Sequence, residues 1–321
     1  MKWRGGVRKI LVVTSGLLLV SACSGDSGNG GGTAQSQTPP QTAQSQTPPP
    51  KAISVKEYGA TLARAIDPLG SALKRLAEAK AYKGLHGRVT AVETAAAKAV
   101  TVLSPITPPT ELAQEHSQLV SALQAFHDEL NGLSSRVGDR ALCTGSAVRA
   151  GLGNADGTSA LRAALAAVSA KLPGDQPALK LPAAGQKGDA RPSNGKLIRA
   201  GNGDGRGELT IDNGGSADAV VTLSKGRKAA VSIYVRKNKK HTVKGVPDGT
   251  YTVFFTGGGA WDDTARAFGR DCAFQRFDNT MTFRTIRTAT QIRWSRWSIT
   301  LQRVIGGNAR TADVDPNDFP E

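Results

Sequence analysis

Few side chains in this sequence can do acid–base chemistry, and those that can are scattered. Asp262, Asp263 and Asp271 fall within one short stretch, WDDTARAFGRD. Carboxylates of this kind serve a cell-wall-directed hydrolase as acid and base, provided they face each other across the sugar at about 5–5.5 Å for retention or about 6.5–9.5 Å for inversion. Closeness in sequence does not supply that geometry. The histidines add little. His116 and His127 share one predicted helix, but eleven residues of helix set the rings roughly 16 Å apart, too far to hold one ion. His86 and His241 stand alone. With no HExxH and no paired Glu-x-x-His, the histidines read as core or boundary residues, and the sequence implies no metal site, no catalytic set and no cofactor.

Two stretches imitate cation loops. Asn202-x-Asp204-x-Arg206-Gly207 has the start of a calcium loop, yet Arg206 stands at position 5 and Asn213, not a bidentate Glu, at position 12, so it reads as a turn. Asp313, Asp315 and Asp318 beside Asn317 read as a solvated tail.

The three cysteines sit in different contexts. Ahead of Cys23 lie Lys2, Arg4, Arg8 and Lys9, then an apolar run from Ile10 to Val20, the charged and hydrophobic regions of an export signal. That run is short of the ~20 apolar residues a bilayer span needs. Val20-Ser21-Ala22-Cys23 resembles a bacterial lipobox, which implies cleavage of residues 1–22 and acylation of the Cys23 thiol. Residues 23–52 then hold a Gly/Ser run and TAQSQTPP twice. This composition cannot bury enough apolar area to order itself, and at ~3.1 Å per residue it forms a tether of up to roughly 80 Å. With Cys23 lipidated, Cys143 and Cys272 remain, an even pair in a compartment where thiols oxidise. A disulfide between them is the expectation; two separately buried thiols or a reactive cysteine are the alternatives.

The net charge is +15, and +11 without the four cations of the signal. Lys225, Arg227 and Lys228 mark one basic turn, and Arg236, Lys237, Lys239 and Lys240 another. Outside the cytoplasm the available anions are phospholipid headgroups, anionic wall polymers and glycans, so these turns are candidate contacts for them; the alternative is ordinary solvated turns. Export argues against nucleic acid as a partner. Trp261, on a Gly-rich loop, and Trp294, out of phase with Trp297, Ile299 and Leu301, are candidate stacking platforms for sugars, or else core residues.

Two kinds of element must position these groups. From 53 to 172 the chain is Ala- and Leu-rich. Ser54 and Glu57 form a capping-box pattern, and Asp67-Pro68 reads as the start of a second helix. Leu112, His116, Leu119, Leu123, Phe126, Leu130 and Leu133 repeat at 4 and 3, the seam of a helical bundle. Residues 173–196 form a Pro/Gly linker. From 197 to 321 the pattern is that of strands broken by Gly, Asp and Asn, an antiparallel β-sandwich.

Val243-Lys244-Gly245-Val246-Pro247-Asp248-Gly249-Thr250-Tyr251-Thr252-Val253 resembles the hairpin of prealbumin-like and carboxypeptidase-regulatory-like sandwiches, in which Pro and Gly shape the turn and the tyrosine packs at the strand start. The stretch from Trp261 to Phe283, with the ending GGNARTADVDPNDFP, resembles secreted lipoproteins of high-GC Gram-positive bacteria. That likeness implies architecture and location and carries no activity. The chain is therefore expected to be a multidomain α plus β protein, lipid-anchored on the outer face of the cytoplasmic membrane. Its expected role is a non-enzymatic binding module for anionic or glycan envelope components.

Overall fold

The computed structural model describes residues 51–174, 179–185, 191–201, 203–302 and 309–320. The export signal, Cys23, the tether and Asn202 lie outside the described residues.

Among the described residues five α-helices come first: α1 (Val55–Ala77), α2 (Leu85–Leu103), α3 (Ala113–Gly138), α4 (Gly145–Gly153) and α5 (Asp156–Lys171). Ser54 caps α1, its hydroxyl accepting from the Glu57 amide at 3.3 Å while its own amide donates to the Glu57 carboxylate at 3.0 Å. Proline 68 does not open a second helix. It lies inside α1, which continues because Leu62, Ile66, Leu69 and Leu73 on both sides of it are buried in the same core. A lost hydrogen bond costs less than abandoning that face. Every residue of the 4-and-3 seam is buried, along α3 and the turn before it. α2 packs against α1 and α3, and α3 against α5. His116 is such a core residue: its Nδ1 lies 3.1 Å from the Tyr58 hydroxyl, and burial lowers its pKa.

Among the described residues twelve strands follow, from β1 (Leu197–Arg199) to β12 (Thr311–Asp313). β1, β4 (Lys228–Val235), β3 (Asp218–Lys225), β6 (Gly249–Asp262), β7 (Ala267–Phe277) and β12 lie side by side in that order, with β8 (Met281–Phe283) also on β6. β5 (Lys239–Val246), β2 (Gly207–Asn213) and β11 (Arg296–Thr300) form a three-stranded sheet, in which β11 runs parallel to β2. Among the described residues β9 (Thr285–Arg287) and β10 (Ile292–Trp294) pair only with each other. The remaining pairings are antiparallel.

The Pro247–Gly249 turn is a corner between sheets, not a hairpin. β5 pairs with β2, and β6 with β3, β7 and β8. Tyr251 is fully buried at the start of β6, its hydroxyl donating to the Pro247 carbonyl at 3.0 Å. The corner lets Leu209, Ile211 and Val243 of the smaller sheet share one core with Val221, Ile233 and Val253 of the larger.

β3 and β4 are buried on both faces. Strands covered on both sides lose the apolar–polar alternation of a half-solvated sheet. The second face of β3 and β4 carries Val220 and Tyr234, which cluster with Trp261, Phe268, Cys272 and, from the helical part, Cys143. Cys143 and Cys272 are joined in a disulfide with Cα atoms 6.4 Å apart. Backbone bonds flank it, from the Cys143 amide to the Gly269 carbonyl and from the Cys272 amide to the Arg140 carbonyl. Among the described residues no helix is long and apolar enough to cross a membrane.

The bridge closes a loop of 129 residues, so the double substitution Cys143→Ala, Cys272→Ala should lower the unfolding free energy by about 2–4 kcal/mol. Urea denaturation of the wild type with and without reductant should give the same loss. Equal midpoints in all three samples would refute it.

Candidate functional site

The segment that leads into the β-rich part is bound to it by one carboxylate. Arg191 grips Asp218 through two bonds of 2.7 Å, the Tyr234 hydroxyl donates at 2.5 Å and the Lys237 amide at 2.8 Å. Burial opposes the Asp218 charge, but these donors outweigh it and hold the carboxyl well below the usual carboxylate range. Burial and the adjacent carboxylate push the Tyr234 phenol up. Arg236 spends its guanidinium on the carbonyls of Pro192 and Arg191 at 2.8 and 3.2 Å. It is a strut that holds this segment.

The other candidate cations do not converge. The turn of Lys225, Arg227 and Lys228 and the turn of Lys237, Lys239 and Lys240 lie at opposite ends of β4, about 26 Å apart at strand spacing. Lys225 sits 4.9 Å above the Tyr251 ring and donates to the Asp248 carbonyl. Arg227 pairs with Asp318 at 3.2 Å, and Lys240 with Asp212 at 3.0 Å. The outer face of the three-stranded sheet matches charges across strands, Glu208 between Arg296 and Lys244 and Asp212 beside Lys240.

The three aspartates likewise stand apart. Asp262 is 3% exposed and accepts from the Ser146 hydroxyl and from the amides of Thr264 and Ala265 at 3.0 and 3.1 Å. A hollow of about 330 Å³ adjoins it, and no described histidine lines that hollow. Asp263 accepts from the Trp261 indole at 2.9 Å and pairs with Lys196 at 3.1 Å, contacts that lower its pKa, the reverse of what a general acid needs. Asp262 faces Ala267 across the β6–β7 pairing, so Asp271 lies four residues, roughly 13 Å, farther along. That separation exceeds either glycosidase geometry. Among the described residues no group of three or more His, Cys, Asp or Glu is placed to hold a metal ion.

Trp261 is not on a loop. The Gly257–Gly259 run belongs to β6, where a Cβ on Gly258 would stand 2.7 Å from the Phe268 side chain. The indole is therefore buried, edge-on to Tyr234 and Phe268, and offers no platform for a sugar. Trp294 is half-buried, its indole donating to Glu208 at 3.3 Å beneath the Arg296 guanidinium. Trp297 is the more exposed, at 41%. The strand pattern resets at Ser295, whose amide donates to the Arg284 carbonyl, so β10 and β11 do not share one alternation.

What sequence reasoning missed is the ribbon made by β9 and β10. Ile286 and Ile292 are 58% and 42% exposed. Their cross-strand partners are Arg293 and Arg287, which puts one isoleucine and one arginine on each face. Arg284 and Arg296 flank the base. Neither Arg284 nor Arg287 forms an ion pair with a described residue. The signal lay in the sequence as an absence: no Asp or Glu occurs from 279 to 312.

Asp218 has a depressed carboxyl pKa in the folded state, so its contribution is complete above the ordinary value of about 3.9 and lost as pH falls below it. Asp218→Asn should be less stable than wild type at pH 7 and lose less stability between pH 4 and pH 2, as measured by urea unfolding across that range. Parallel acid limbs would show that the network does not titrate. No protein-family model, no curated protein and no solved structure matches the chain, so its own residues are the guide to its role.

Proposed function

We propose that this protein is a lipid-anchored binding module of a bacterial cell envelope, with a helical bundle and a β-sandwich carried on a tether and docking to an anionic surface outside the cytoplasm. The export signal, the lipobox-like Val20–Cys23 stretch and the likeness of Trp261–Phe283 to secreted lipoproteins support the location. The Cys143–Cys272 disulfide fits an oxidising compartment.

The β9–β10 ribbon carries the reading. Tied at its base by Thr285 to the Asp248 carboxylate and by Trp294 to Glu208, the ribbon exposes isoleucine and arginine on both faces. A glycan or polyanion would use the arginines and leave the isoleucines idle. A phospholipid surface uses all three: aliphatic side chains at the acyl boundary, tryptophan at headgroup level and arginine on phosphate. The anionic membrane is therefore the favoured surface, over wall polymer or glycan. The binding role is non-enzymatic.

The chain from residue 51 onward should co-sediment with phosphatidylglycerol vesicles and not with phosphatidylcholine vesicles. Binding should weaken steeply as salt rises, since exposed charges are screened beyond about 10 Å at 0.1 M. Near an anionic surface each arginine is worth about 1 kcal/mol, so Arg284→Glu with Arg287→Glu should weaken binding by more than tenfold. Ile286→Ser with Ile292→Ser should weaken it at every salt concentration. Binding to isolated walls but not to anionic vesicles would move the ligand to wall polymer, and salt-insensitive binding would sink the electrostatic account.

A further inference from the structure

A cavity of about 340 Å³ lies between the helical part and the second face of the larger sheet, within the size range of small-molecule sites. Its walls are aromatic: Tyr82, Phe268, Phe274 and Phe319, with the disulfide alongside. The Tyr82 ring is fixed by its hydroxyl, which donates to the Val137 carbonyl at 2.9 Å. Phe319, from the C-terminal segment, packs edge-on against Phe254 and Phe274 at 5.4 and 5.5 Å between ring centres.

The floor is polar where packing alone calls for apolar residues. Thr222 and Ser232 face each other across β3 and β4, are 3% and 6% exposed, and place their hydroxyls 2.9 Å apart. Two hydroxyls carry two protons, and the bond between them uses one. No other described side chain or carbonyl hydrogen-bonds to either hydroxyl. At the mouth stand exposed Lys80, Arg199 and Arg266, and no described carboxylate lines the cavity.

Aromatic walls and cations at the mouth match one class of molecule. We propose that this cavity binds a single-chain amphipathic anion. Its carboxylate or phosphate head lies at Lys80, Arg199 and Arg266, and its chain lies against the four rings. This does not rest on the ribbon or on the membrane-docking role.

The probe is decanoate, below the concentration at which it forms micelles, titrated into the disulfide-intact protein by calorimetry. Saturable one-to-one binding is expected, roughly tenfold weaker for uncharged decanol and absent for acetate. Decyl phosphate in place of decanoate tells a phosphate head from a carboxylate, and tighter binding of either supports the site. Lys80→Glu with Arg199→Glu, both exposed, should weaken decanoate binding at least tenfold. Ala229 lines the cavity, so Ala229→Leu should fill it and abolish binding; should that variant fail to fold, the charge-reversed pair decides. The Ile286→Ser, Ile292→Ser protein should bind decanoate as the wild type does. The proposal is overturned by any of three results: no saturable binding, binding that survives both cavity variants unchanged, or binding lost with the ribbon isoleucines.

Discussion

The contact between the segment ending at Cys143 and strand β7 holds the two chemically different parts of the chain together. It is a covalent bond flanked by two backbone hydrogen bonds and enclosed by Trp261, Phe268 and Tyr234. Backbone strain collects at the same place. Arg140, Ala260, Arg266 and Asp271 all have left-handed φ angles between 50° and 60°, each costing about 1–2 kcal/mol for a residue with a side chain. The strain persists because covalent, hydrogen-bonded and apolar terms all specify the same arrangement.

Asp218 does for the incoming segment what the disulfide does for the helices. A carboxylate shielded from water is costly unless its lone pairs are met, and here guanidinium, phenol and amide donors meet them. Elsewhere on the linker, Asn154 exchanges bonds with the Gly185 backbone and Arg162 donates to the Pro182 carbonyl. A stretch whose composition suggests a free hinge is thus pinned, wherever it is described, to the elements on either side. That pinning keeps Ile198 and Arg199 on the wall and mouth of the aromatic cavity.

The same accounting separates cations that hold the fold from cations open to a partner. Arg236, Lys225 and Lys240 are engaged with backbone, a ring and a carboxylate respectively. The ribbon arginines arise where 34 residues pass without an acid, 279 to 312, so the carboxylates nearest the ribbon come from elsewhere in the chain, Asp248 at Thr285 and Glu208 at Arg296. Local charge density, rather than net charge, marks the surface suited to an anion.

Much of this could be read from the residues in order. The 4-and-3 spacing gave α3 its buried stripe, Ser54 and Glu57 gave α1 its first turn, and the β-branched runs gave most strands, because each of these depends on neighbours within a turn or two along the chain. Pairing of distant segments was beyond that reach. Pro68 stays within a helix, the Pro247–Gly249 turn is a corner between sheets, and Trp261 is buried, each because a partner far away in sequence covers it. The candidate basic turns were visible as residues, but their separation by the length of β4 was not. Periodicity records which face of an element is apolar; which surface covers that face, and which charges are left with nothing to neutralise them, is set by contacts between residues that only the folded chain brings together.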